Sequence, residues 1–294
     1  MNALTSRAWG LALTLGLVMP AAAIERDIRF ENPRFQVGFL AQQMDYDESD
    51  AAEIENDFFG IQLIVTERLS QAWDGVFTLN YLNGADGDYE GTAARDLLFP
   101  EVGEKIKTDT DDEMAQVEMN LGYWFNDTLR GFIGLGYRYW TNDINGDISL
   151  ERETDYFYMP MGFNVVGYFN SSTYWRLTGQ FNLLLAGSAE MQSDNPAEYS
   201  PFEQATTSAP FDDQADIDID GGYGWQISAD LRHELKRGNM HIGVSPYIKY
   251  WDMDETDTDQ VFIARDVNNE PIYGRYMQNE SDTTSIGAFF YLAF

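Results

Sequence analysis

From Phe35 to the last residue, large apolar side chains alternate with small or polar ones, and polar stretches break the alternation at intervals. Between Met114 and Phe125 the odd positions are Ala115, Val117, Met119, Leu121, Tyr123 and Phe125, and the even ones include Gln116, Glu118, Asn120 and Gly122. The same parity holds where Ile133, Leu135, Tyr137 and Tyr139 alternate with Arg130, Gly134, Gly136 and Arg138. It recurs where Leu177, Phe181, Leu183 and Leu185 oppose Arg176, Thr178, Gln180 and Asn182. A period of two predicts strands with one apolar and one polar face.

A soluble sandwich alternates too, so the breaks decide between architectures. They take turns in length: tight near Gln71 to Asp74, Asn126 to Thr128, Asn170 to Ser172 and Lys236 to Gly238, and long near Glu48 to Asn56, Gly84 to Glu113, Asn142 to Glu151, Glu190 to Ala215 and Met253 to Ser281. Short turns on one rim and long loops on the other are the plan of an outer-membrane barrel. The expected fold is all-β: a transmembrane up-and-down antiparallel β-barrel of about 10 strands, with 8 to 12 as the range. An even count puts both chain ends on the periplasmic side and the long loops outside. Several segments exceed the roughly 9–11 residues that a bilayer requires, so the wall is expected to rise above the membrane. Aromatics gather near both rims, as interfacial girdles do: Trp73, Trp124, Trp175 and Phe294 by the short turns, Trp140, Tyr156, Tyr250 and Trp251 by the loops.

The final segment, Thr283 to Phe294, places Ile286, Ala288, Phe290, Leu292 and Phe294 on one face and stops at the aromatic. This resembles the C-terminal signal of Gram-negative outer-membrane barrels, carried here by Phe290, Leu292 and Phe294. It departs from that pattern in having Phe289 where a small residue is usual, with Gly287 two positions earlier. The resemblance implies the barrel assembly machinery as a partner during biogenesis.

The first residues fit that destination. Arg7, an apolar stretch from Trp9 to Met19, Pro20 and Ala21-Ala22-Ala23 have the layout of a cleaved secretory signal. Residues 1–23 are therefore expected to be a signal peptide, 24–34 a periplasmic segment and 35–294 a single barrel. The apolar stretch is far shorter than the roughly 20 residues of a spanning helix. Cysteine is absent, which leaves neither disulfide nor thiolate metal site. A formal charge of -31 opposes nucleic-acid binding.

The alternation assigns Glu118, Arg130, Arg138, Arg176, Asp230, Arg232 and Lys249 to the lumen as a charge network. The turn through Asp127 is expected to bring Glu118 near Arg138, since buried charges need partners. A barrel of about ten strands is little wider than the eight-stranded kind that side chains fill, so a filled lumen is expected rather than a conducting one. Most acids fall in the long breaks: Asp45, Asp47, Glu48, Asp50, Glu53 and Glu55 in the first, Asp109, Asp111, Asp112 and Glu113 in the second. Carboxylate clusters can hold calcium or magnesium. The candidates are Asp216, Asp218, Asp220, Asp252, Asp254 and Asp257, although Ile227 stands where an EF-hand loop would end in its bidentate acid. No other cofactor is expected.

The ten-strand plan with tall walls is also similar to the omptin proteases and to adhesin-type barrels, a likeness of architecture without a sequence motif. Omptins use paired aspartates facing an Asp-His pair from another extracellular loop. Asp86 and Asp88 could stand for the first pair, but the histidines, His233 and His241, flank the short turn at the opposite end, and no Gly-x-Ser-x-Gly elbow occurs. The expectation is a monomeric, non-enzymatic outer-membrane barrel acting through acidic surface loops, in binding, adhesion or a surface-structural role. Its partners would be outer-membrane lipids, lipopolysaccharide and an extracellular ligand. The alternative is a narrow, cation-leaning diffusion channel, because an acidic mouth concentrates cations.

Overall fold

The computed structural model describes residues 34–49, 52–91, 106–144, 150–193, 215–219, 221–235, 240–256, 259–265, 271–276 and 279–294. The expected signal peptide and nearly all of the segment after it lie outside those residues. The strands are β1 (Phe35–Glu48), β2 (Ala52–Arg68), β3 (Trp73–Gly91), β4 (Ile106–Trp124), β5 (Leu129–Ile144), β6 (Leu150–Asn170), β7 (Thr173–Ser193), β8 (Ala215–Asp218), β9 (Gly222–Glu234), β10 (His241–Met253), β11 (Asp259–Arg265), β12 (Pro271–Tyr276) and β13 (Ser281–Ala293).

Ten of these close into an antiparallel barrel. β1 to β7 pair in sequence, β9 follows β7, and β10 and β13 lead back to β1. The seam between β13 and β1 runs from Gln36↔Ala293 to Glu48↔Ser281, finished by Phe294 N–H donating to the Phe35 carbonyl at 2.9 Å. The C-terminal strand is thus the piece that shuts the wall. β8 pairs with Ser188 to Met191 of β7 and lengthens the wall above β9, and β11 with β12 forms a separate hairpin.

The parity read from the sequence is the parity of the wall. On β1, Phe39 is 74% exposed and Tyr46 is 1% exposed, so outward and inward faces are unambiguous. Nearest the short turns the outward face is apolar: Phe35, Val37 and Phe39 on β1, Phe59 and Ile61 on β2, Met119 and Leu121 on β4, Phe290 and Leu292 on β13. Trp73, Tyr123 and Phe125 line the lower border of this apolar belt as a girdle, in tilted and edge-on contacts with ring centroids 4.9 and 5.2 Å apart. Trp124, Trp140, Tyr156 and Trp251, expected in the girdles, turn inward instead and are buried.

The strands run on well above this belt, which corrects the loop boundaries. β1 and β2 stay paired up to Glu48↔Ala52, leaving only residues 49–51 between them, so the strands run through most of the expected first loop. Asp45, Asp47, Glu53 and Glu55 therefore lie on strands, as do Asp109 to Glu113 on β4. Polar residues on an outward face look like loop in a sequence, but the inward partners here (Met44, Tyr46, Ile54, Phe58) are buried and hold the strands together. β3 bends at a bulge between Gly84 and Gly87, where Asp86 adopts φ 58°, a conformation aspartate tolerates better than most residues.

Candidate functional site

The lumen is built in layers. At the outer mouth, Arg152 of β6 donates to Glu48 Oε2 at 3.0 Å and to the Tyr46 hydroxyl, both on β1, five strands away around the ring. This ion pair is a strut across the full width of the barrel. Beside it Asp112 accepts from Asn56 Nδ2 at 2.5 Å, Trp140 Nε1 at 2.8 Å and Asn142 Nδ2 at 2.7 Å.

Below the mouth lies an aromatic plug. Tyr156, Tyr158 and Trp251 pack on one another, with Trp251 centroids 5.8 and 5.0 Å from the two tyrosines. Arg138 lies over Tyr156 and Trp251 at 5.7 and 5.9 Å, in cation–π range. Inward glycines on neighbouring strands leave space for these rings: a Cβ on Gly136 would come within 2.3 Å of Tyr158, and one on Gly224 within 2.7 Å of Trp251. At the next level Lys249 of β10 donates to Gln116 Oε1 of β4 at 2.8 Å, again across the whole barrel. Glu118 accepts from Tyr158 OH at 2.7 Å, Gln116 Nε2 at 2.8 Å and Gln180 Nε2 at 3.2 Å.

Under that level a cavity of about 160 Å³ opens, lined by side chains of all ten wall strands, among them Gln42, Gln62, Thr78, Asn80, Ser228 and Ser245. Unbonded buried atoms facing a polar space of this size, such as Asn80 Oδ1 and Tyr174 OH, are the sites that ordered water satisfies. The floor is a second set of pairs. Arg130 meets Asp74 at 2.5 Å, with Trp124 Nε1 also on Asp74 at 2.7 Å. Arg176 meets Asp230 at 3.1 Å, Tyr291 OH donates to Asp230 at 2.5 Å, and Arg232 stacks 4.2 Å from the Tyr174 ring.

All seven lumen residues expected from the alternation are thus inside the barrel, but one pairing differs. Glu118 faces Gly136 in the register while Arg138 faces Gln116, and the Glu118 oxygens are occupied by neutral donors. Sequence reasoning also missed Asp74, Glu48, Asp112 and Arg152, because each sits in, or for Arg152 directly beside, an expected turn or loop. Their signal was parity: each continues the inward register of its strand beyond the expected boundary.

The outer wall above the belt is the opposite kind of surface. Through the cross-strand register Asp252 faces Asp282, Asp282 faces Asp47, Asp47 faces Glu53 and Glu53 faces Glu90, before the row ends at Lys107, which bridges to Glu90. A second row runs Asp45, Glu55, Asp88, Asp109. Partial burial pushes the Glu55 and Asp45 carboxyls above their ordinary range, helped by Asp45, Glu53 and Asp88 around Glu55 and by Asp57 near Asp45; both stand above the apolar belt.

Of the metal candidates, Asp218 is exposed on β8, where Ile217 and Ile219 turn inward, Asp252 belongs to the first acidic row, and Asp254 follows β10. Asp220 and Asp257 lie outside the described residues, and nothing is described of the Asp216 side chain. Among the described residues no three metal-ligating side chains come together. His233 faces Thr173, and His241 faces Ala293 and Glu234, all at the short-turn rim, whereas Asp88 faces Glu55 and Asp109 near the other rim.

Solved structures share this plan. The outer membrane protease OmpT from Escherichia coli superposes with a TM-score of 0.50 at 10% identity, over 87% of this chain and 95% of that one. The fold is that of an outer-membrane β-barrel. More distant are the toluene transporter TodX of Pseudomonas putida (TM-score 0.32, 9% identity, 88% and 89% of the two chains) and the β domain of the Bordetella autotransporter BrkA (0.36, 7%, 90% and 100%). No family model and no curated protein matches the sequence.

Proposed function

We propose that this is a sealed, non-catalytic outer-membrane barrel with a surface-structural role. Its short turns and both strand ends at Phe35 and Phe294 face the periplasm, and its acidic wall and long loops stand outside. The observation that carries this reading is the pair of full-width struts, Arg152 to Glu48 and Lys249 to Gln116, with the ring cluster of Tyr156, Tyr158 and Trp251 between them. A lumen crossed twice leaves the outward faces as the surface that meets other molecules. The rows of facing carboxylates suit divalent cations shared with the anionic groups of lipopolysaccharide, held diffusely rather than in one cage. The similarity to OmpT is one of fold and does not transfer its activity.

The test is single-channel recording of the refolded chain in a planar bilayer. Silence is expected for the wild type, and steady steps would overturn the sealed-lumen reading in favour of a narrow channel. On intact cells protease is expected to cut only between 92 and 105, 194 and 214, or 254 and 280. Cleavage at Lys236 or Arg237 would invert the orientation.

A further inference from the structure

We infer that the plug holds a small monovalent anion, of the halide class, between Arg138 and Lys249. Arg138 is 1% exposed, and its Nε and Nη1 have no hydrogen-bond partner; Nη2 reaches only the Met44 sulfur, at 3.8 Å. Trp251 Nε1, in the ring stacked against this guanidinium, is also a buried donor without an acceptor, and so is Gln42 Nε2. Arg138 faces Gln116 in the strand register, and Lys249 bonds the same Gln116, so both cations converge on one amide.

Every unmet group in this set is a donor, and arginine, lysine and tryptophan have no acceptor to offer one another. The acid at this level, Glu118, already accepts from Tyr158, Gln116 and Gln180. Arg138, Lys249 and Glu118 together leave one positive charge in a buried layer. Water would satisfy the donors but not the charge, whereas a single anion does both, and an unpaired buried charge is the costlier defect. Lys249, Gln116 and Gln42 also line the polar cavity below, which gives a small ion a hydrated approach.

The probe is bromide, titrated at constant ionic strength against gluconate with the refolded full-length barrel in detergent while tryptophan emission is read. Bromide quenches exposed tryptophans in proportion to its concentration, but buried Trp251 is reached only by an ion lodged in the plug. A saturable component is expected in the wild type, absent in Trp251→Phe and in Arg138→Gln, and shifted at least tenfold to higher bromide in Lys249→Gln. Heat-modifiable gel migration checks that each variant is folded, and Lys249→Gln serves alone should Arg138→Gln fail that check. Linear quenching in the wild type overturns the site, as does a saturable component that survives Arg138→Gln or is unmoved in Lys249→Gln. Neither result depends on whether the barrel conducts.

Discussion

The lumen and the outer face of the upper wall are two sides of the same strands, yet they treat charge in opposite ways. Inside, Arg130, Arg138, Arg152, Arg176, Arg232 and Lys249 share the lumen with Asp74, Glu48, Asp112, Glu118 and Asp230, a near balance in a chain whose net charge is -31. Outside, Asp47, Glu53 and Glu90 face one another directly across three strands. Low dielectric makes an unmatched interior charge cost several kcal/mol, whereas water and salt screen the exterior ones over about 10 Å. The bulk charge of the protein therefore describes its outer wall and says little about its lumen. A cation path inferred from an acidic mouth would still have to pass the buried Arg138 and Lys249 inside the barrel.

The comparison breaks most sharply at the floor of the lumen. Asp74→Asn is expected to leave Arg130 buried without its carboxylate and to lower the unfolding free energy by about 3–5 kcal/mol, measured by urea unfolding in micelles. Replacing both, Asp74→Leu with Arg130→Met, should recover most of that loss. If the single and double variants are equally destabilised, the pair is not what the site needs. A smaller effect is expected from Gly224→Ala, whose methyl group would meet Trp251. Overpacking of this kind costs roughly 1–3 kcal/mol, and a thermal midpoint equal to wild type would show that the plug is loosely packed.

How far these features were legible follows the same division. Parity alone placed Glu118, Arg130, Arg138, Arg176, Asp230, Arg232 and Lys249 inside, because a strand leaves no freedom about which face a side chain takes. Parity could not say who pairs with whom. Lys249 finds Gln116, and Arg152 finds Glu48, through the closure of the whole ring, which no local pattern encodes. Strand ends were misread for a related reason: Asp45, Glu55 and Asp111 look like loop residues, and only the burial of Met44, Ile54 and Asp112 opposite them shows why the strands continue.

The smallest predicted effect lies on the outer wall, and its sign is the reverse of that inside. Glu55 faces both Asp45 and Asp88, and like charges directly opposite destabilise a sheet. Glu55→Gln is thus expected to stabilise the barrel at pH 7 by about 0.2–1 kcal/mol, toward the lower end because solvent screens the row. Burial and the neighbouring acids raise the Glu55 and Asp45 carboxyls in the folded state, so between the ordinary and the raised values the folded protein binds more protons than the unfolded chain. Their contribution then favours folding as pH falls through that window and opposes it above. Wild type and Glu55→Gln should therefore converge on acidification from pH 7, and added calcium at pH 7 should narrow the same gap. Thermal midpoints of both proteins, followed against pH and then against calcium, test this. A gap that persists at low pH would mean that Glu55 acts through packing, and that the rows are not held apart by their charge.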